Sequence, residues 1–236
     1  MPGPRPIDAV LLDALGTLIE LHPPAPRLVR ALREDHGAAV TLPEAEHALR
    51  AEMTFYRRHN HVAGDRESLL ELRRRCTEVL RAELPPAVRG IELAVLGDVL
   101  LSSLRFTAYP DAAECLIALR ARDLRVVVVS NWDISLHQVL GDTGLGPLVD
   151  GAVTSAEVGF AKPQAPIFLA ALAVAGASPA RALAVGDSAI DDVEGARAAG
   201  IEAVLLDRTG TAPGSIASLA QLPALVDGLG ARPPSL

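Results

Sequence analysis

Lysine is almost missing from this chain. Of its 22 Lys and Arg residues, only Lys162 is a lysine. Arginine offers a planar fork, whereas lysine offers a point charge that a small anion can approach closely. A sequence that writes nearly every cation as Arg has therefore kept one compact ammonium, inside Gly159-Phe160-Ala161-Lys162-Pro163. Aromatic residues are scarce as well, at 3% against a hydrophobic fraction of 50%, so the core must be built from Leu, Val, Ala and Ile. Basic charge is short: the net charge of -7 offers no basic patch to a nucleic acid or a membrane surface. No apolar run reaches the length of a membrane span. Residues 1–8, Met-Pro-Gly-Pro-Arg-Pro-Ile-Asp, lack the apolar segment of a signal peptide, which makes the cytoplasm the expected compartment. The two cysteines, Cys76 and Cys115, have no metal-type spacing and are expected as reduced thiols.

What the chain does contain is a series of short apolar runs without polar alternation. They are Ala9–Leu12, Val126–Val129, Gly151–Thr154, Ala182–Val185 and Ala203–Leu206. Strands covered on both faces by helices read this way. Helical spacing lies between them, over Ala112–Ala121, Pro166–Ala175 and Asp192–Ala199. Strand alternating with helix predicts an α/β fold around a Rossmann-like parallel sheet. Residues 22–107 break the alternation. Four amphipathic helices are expected there, over Ala25–Asp35, Pro43–His59, Ser68–Ala82 and Ile91–Leu104, with no strand. The expected organisation is a core of residues 1–21 and 108–236 carrying an inserted all-helical cap, 22–107. Residues 211–236 hold one short helix among prolines and end near Pro233-Pro234.

Ligands of open parallel sheets bind beyond the carboxyl ends of the strands, and reactive groups stand at those ends here. Asp13 follows the first run directly, in Asp13-Ala14-Leu15-Gly16-Thr17-Leu18. A carboxylate there can act as nucleophile or metal ligand, or simply begin a turn. The second run ends in Ser130-Asn131-Trp132-Asp133, where a hydroxyl and an amide can hold an oxyanion or cap the next helix, Ile134–Leu140. Lys162 follows the Gly151–Thr154 run. The Ala182–Val185 run opens into Gly186-Asp187-Ser188 with Asp191 and Asp192. Clustered carboxylates repel one another unless a cation sits among them, and hard oxygen donors suit Mg²⁺. Asp191 also suits a helix amino terminus.

Asp, Ser, Lys and an acidic loop in this order, each at a strand end, give the chain a resemblance to the haloacid dehalogenase-like hydrolases. Tyr109-Pro110-Asp111-Ala112, Ile167-Phe168, Gly195-Ala196 and Ala199-Gly200 agree with it, and it runs over nearly the whole length. The resemblance implies a helical cap inserted after the first strand and a small anionic substrate. It implies Asp13 as the nucleophile, Ser130 and Lys162 as holders of the transferring group, and Thr17 and Asn131 as further substrate contacts. It also implies Mg²⁺ held by Asp13, the Leu15 backbone carbonyl and Asp187, with Asp191 and Asp192 in support. Phosphoryl transfer consists mostly of positioning and charge neutralisation, which these groups can supply.

The chain departs from the family's phosphatases at one telling place. They carry a second Asp two residues after the nucleophile as general acid and base, and Leu15 stands there. Glu20, His22 and Asp133 are the nearby groups that could substitute. Halide leaves without a proton, so a 2-haloacid dehalogenase is the enzymatic alternative, with Arg27, Arg30, Arg57 or Arg58 as a carboxylate-binding cap residue. A Schiff-base phosphonatase is excluded by the want of a cap lysine. A weakly active or non-catalytic binding protein is the third reading. His59 and His61 belong either to the substrate side of the cap or to a solvated loop.

Overall fold

The computed structural model describes residues 7–230. Residues 1–6, Pro233 and Pro234 lie outside the described residues. Strand β1 (Ala9–Leu12) opens the chain, followed by β2 (Ile19–His22). Helices α1 (Ala25–His36), α2 (Leu42–His59), α3 (Arg66–Glu83) and α4 (Leu93–Ser103) come next. Then follow β3 (Arg105–Ala108), α5 (Ala112–Arg120), β4 (Arg125–Ser130), α6 (Leu136–Asp142) and β5 (Gly151–Thr154). The remainder is α7 (Ser155–Val158), α8 (Ala165–Ala175), β6 (Ala182–Gly186), α9 (Gly195–Ala198), β7 (Glu202–Leu205) and α10 (Leu222–Gly230).

Five strands form one parallel sheet in the order β5-β4-β1-β6-β7. Successive side chains of a strand point to opposite faces, and both faces are covered. Val10, Leu12, Val126, Val128, Leu183 and Val185 face one apolar cluster, closed by α5, α6 and α10. Ala9, Leu11, Val127, Val129, Ala182 and Ala184 face the other, closed by α8 and α9. This double burial is why the strands read as continuous apolar runs. Because β1 lies between β4 and β6, the loops leaving these three strands converge at one edge of the sheet.

Helices α1 to α4 form a helical insertion between β2 and β3, with its own apolar cluster. Leu28, Leu32, Leu49, Leu72, Leu80, Val88 and Leu96 are among the side chains buried there. One expectation fails at its borders. Residues 22 and 105–107 are strand, because β2 pairs antiparallel with β3, His22 against Arg105 and Ile19 against Ala108. This ladder brings the two chain crossings together. Arg27 fastens it, donating from Nε to the Ser103 carbonyl at 2.8 Å and from an Nη to the His22 carbonyl at 2.9 Å. The expected Asp192–Ala199 helix is split into a π-helical turn, Ala189–Glu194, and the short α9.

Candidate active site

Asp13, Ser130, Lys162, Asp187, Asp191 and Asp192 line one cavity of about 530 Å³, closed on the far side by the helical insertion. Lys162 is its electrostatic centre. Its ammonium is buried and donates to Asp13 Oδ1 at 2.5 Å, Asp192 Oδ1 at 2.6 Å and the Val129 carbonyl at 3.0 Å. Burial alone would lower its pKa, but the charges of Asp13 and Asp192 raise it above the ordinary range. The Ser130 hydroxyl donates to Asp13 Oδ1 at 3.2 Å. Burial raises the pKa of the Asp13 carboxyl, Lys162 pulls it back and Asp192 and Asp187 raise it again, to about 6 in balance. Asp13 faces an acceptor-rich cavity.

The backbone around these groups leaves no room for ordinary side chains. Gly16 has φ +89, and a Cβ there would stand 2.0 Å from an Asp187 oxygen. At Gly186 a Cβ would meet the Asp192 carboxyl carbon at 2.2 Å. Glycine at both places lets the first loop and the acidic loop approach each other. Asp13, Asp187 and Asp192 then each present a carboxylate oxygen, all within 4.8 Å of one another. Three carboxylates against one ammonium leave the cluster negative. Asp192 is fully engaged, with Oδ1 on Lys162 and Oδ2 accepting from the Ser188 amide at 2.9 Å. Asp187 is the exposed member, and burial of its carboxyl and the charge of Asp192 raise its pKa. A hard divalent cation such as Mg²⁺ suits this all-oxygen donor set.

Several expected residues stand elsewhere or do other work. Thr17 is fully buried and lies outside the cavity lining, and its hydroxyl has no hydrogen-bond partner among the described residues. Asn131 lines the cavity, but its amide is spent on the lysine loop: Oδ1 accepts from the Lys162 backbone amide at 2.7 Å and Nδ2 donates to the Lys162 carbonyl at 3.0 Å. Asp192 belongs to the carboxylate cluster itself, whereas Asp191 does not. Glu20 and His22 flank Thr107 on the β2–β3 ladder, away from the cavity. Asp133 does line it, held by the Tyr56 phenol at 2.9 Å and the Ser135 amide at 2.7 Å. Of the four arginines singled out, Arg57 alone faces the cavity. His59 stacks on Phe55, and neither it nor His61 lines the cavity.

Other contributors escaped the sequence reading. Arg73, Glu52 and Tyr56 belong to the insertion's wall. Arg208 braces the Asp13 loop from behind: it stacks on Tyr109 at 3.7 Å and donates to the Thr17 carbonyl at 2.7 Å and to Asp111. Its distance in sequence from that loop gave no signal.

Residues 7–200 match the family model described as haloacid dehalogenase-like hydrolase. A Mycobacterium tuberculosis protein named Phosphatase MT3486 is 39% identical over 125 residues, 52% of this chain and 57% of the relative. The crystal structure of a HAD phosphatase from Thermococcus onnurineus is 26% identical, with a TM-score of 0.64 over 94% of this chain and 99% of that one. A 2-haloacid dehalogenase from Pseudomonas syringae pv. Tomato DC3000 shares the fold at 24% identity, with a TM-score of 0.67 and the same two coverages. The matched stretch thus spans little more than half the length of the curated relative.

Proposed function

For a chain that belongs to the haloacid dehalogenase-like hydrolases, and is an enzyme of that kind, we propose a Mg²⁺-dependent phosphatase that acts on a small phosphorylated metabolite through a phosphorylated Asp13. The single observation behind this reading is the cluster of three carboxylates that Lys162 neutralises only in part. A dianionic phosphate entering beside Asp13 would be repelled by that cluster unless a divalent cation joined it. Asp13 and Asp187 are the residues that would hold Mg²⁺, with the Leu15 carbonyl beside them. When bound, the ion offsets charge on the phosphoryl oxygens.

The chain's own groups do the rest. An Asp13 carboxylate oxygen attacks phosphorus in line, the ester P–O bond breaks, and its electron pair leaves with the substrate oxygen. The Lys162 ammonium offsets the negative charge of the transferring group, and the Ser130 hydroxyl turns to hold one of its non-bridging oxygens. Asn131 keeps the lysine loop in register through its two bonds to Lys162. Water then cleaves the acyl phosphate, releasing inorganic phosphate and restoring Asp13. Leu15 supplies no proton to the leaving oxygen, so good leaving groups, such as acyl or aryl phosphates, are favoured.

Leu15 also favours a second reading, a 2-haloacid dehalogenase. A halide carries away its electron pair without a proton, and Arg57 or Arg73 on the cavity wall could bind the substrate carboxylate. The acidic cluster weighs against it. A screen of phosphorylated metabolites and 2-haloacids, each with Mg²⁺ and with EDTA, separates the two. Phosphate release abolished by EDTA, together with a Mg²⁺-dependent rise in Tm, supports the phosphatase. Halide release indifferent to EDTA overturns it.

A further inference from the structure

The insertion's wall carries a stripe of three polar residues at helical spacing, Glu52, Tyr56 and Asn60, at positions i, i+4 and i+8 along and just beyond α2. Residues four apart share a helix face. Two of the three are spent on the core. Asn60 Nδ2 donates to the Asn131 carbonyl at 2.9 Å, and the Tyr56 phenol donates to Asp133 Oδ2 at 2.9 Å. Glu52 has no such partner. It is 6% exposed, and its one hydrogen bond is with the thiol of Cys76 on α3. No ion pair neutralises it among the described residues, although Arg57 and Arg73 line the same cavity. Burial pushes its carboxyl up to about 7.

A buried charge is normally paired, or else it is neutral. A carboxyl kept at a cavity wall without a cation, beside a site that must admit ligand, is suited to a cation that arrives with that ligand. The surroundings strengthen this. Carboxyl groups outnumber cations around the cavity, with Asp133, Asp142 and Asp191 on its lining besides the catalytic cluster. Such a lining raises the local concentration of positive groups. Met53, Leu72, Leu100 and Leu104 give the same lining apolar surface. It fits a short hydrocarbon segment between the two charged ends of a substrate.

We propose that Glu52 is a specificity-determining residue that binds a primary ammonium at the end of the substrate remote from the phosphoryl group, so that the substrate is an acyl or aryl phosphate that carries an amine on an aliphatic spacer. The inference rests on the reading of this cavity as the substrate site. A series of 4-(ω-aminoalkyl)phenyl phosphates of increasing arm length, each compared with the phenyl phosphate in which methyl replaces the ammonium, tests it. At the matching length kcat/KM should favour the amine by about 10- to 100-fold, the worth of one charge-assisted hydrogen bond. The preference should arise mainly in KM and collapse in Glu52→Gln. A separate arm needs no turnover: pentylamine, but not 1-pentanol, should raise the Tm of the parent protein, and Glu52→Gln should lose that response. Parity of amine and methyl substrates at every length overturns the proposal. So does the absence of any pentylamine effect on the parent, or a preference that survives Glu52→Gln. Failure of every phosphate to react, with the pentylamine response intact, overturns the phosphatase reading alone.

Discussion

Lys162 shows how much one side chain can be made to carry. Its three ammonium protons meet three acceptors: two carboxylates and the Val129 carbonyl. A guanidinium has its donors in a plane and would need more room in a site that is already closed. Lys162→Arg is therefore expected to lower kcat by about 10²-fold or more, the scale of losing one well-placed donor to developing charge. Near-parental turnover of the purified variant would count against this geometry. Leu15 is the opposite case, a place where a group is missing. It lines the cavity beside Asp13, so Leu15→Asp returns a proton donor to the leaving side. General acid help is worth about 10²- to 10⁴-fold, and poor leaving groups need it most. The ratio of kcat/KM for alkyl over aryl phosphates should rise in Leu15→Asp, and an unchanged ratio in a folded variant would mean that protonation is not limiting.

The strand tips were legible in the sequence because burial on both faces leaves apolar runs that stop abruptly at Asp13, Ser130 and Asp187. Pairing at a distance was less so. Ile19-Glu20-Leu21-His22 and Arg105-Phe106-Thr107-Ala108 both alternate weakly, but only their mutual ladder makes them strands. The α2 stripe is a third case. Its spacing is plain in the sequence, yet nothing in a single helix says which polar residues will meet the core and which will face a cavity. Glu52 also has a measurable consequence for this helix. Its folded pKa of about 7 lies above the ordinary carboxyl value, so below the unfolded pKa it costs nothing. Between the two values the folded state binds more protons, and stability falls as pH rises. Glu52→Gln should therefore be more stable than the parent by about 1–3 kcal/mol at pH 8, with the difference gone near pH 4. Urea unfolding of both proteins at the two pH values measures this, and an equal difference at both would contradict it.

At the scale of the molecule, three apolar clusters among the described residues divide the work, two on the faces of the sheet and one inside the insertion. The last packs mainly against itself, while polar contacts from Tyr56 and Asn60 tie it to the turn after β4. The helical insertion and the sheet are thus separately built. Replacing residues 23–104 by an Asn-Gly turn should leave a core that unfolds cooperatively in thermal denaturation monitored by circular dichroism. Turnover of the metabolite should be lost, since half of the cavity is gone. Loss of the cooperative transition would show that the core depends on the insertion. The β2–β3 ladder makes this experiment conceivable, and it has a meaning in chain statistics. Closing a flexible loop of roughly eighty residues costs about 4 kcal/mol of conformational entropy, growing only as the logarithm of length. Four rungs of antiparallel backbone set that cost against local bonds at the neck, so the sheet beneath need not bear it. The neck then tolerates loops of very different size, and a chain of this design can exchange its helical insertion while the sheet stays unchanged.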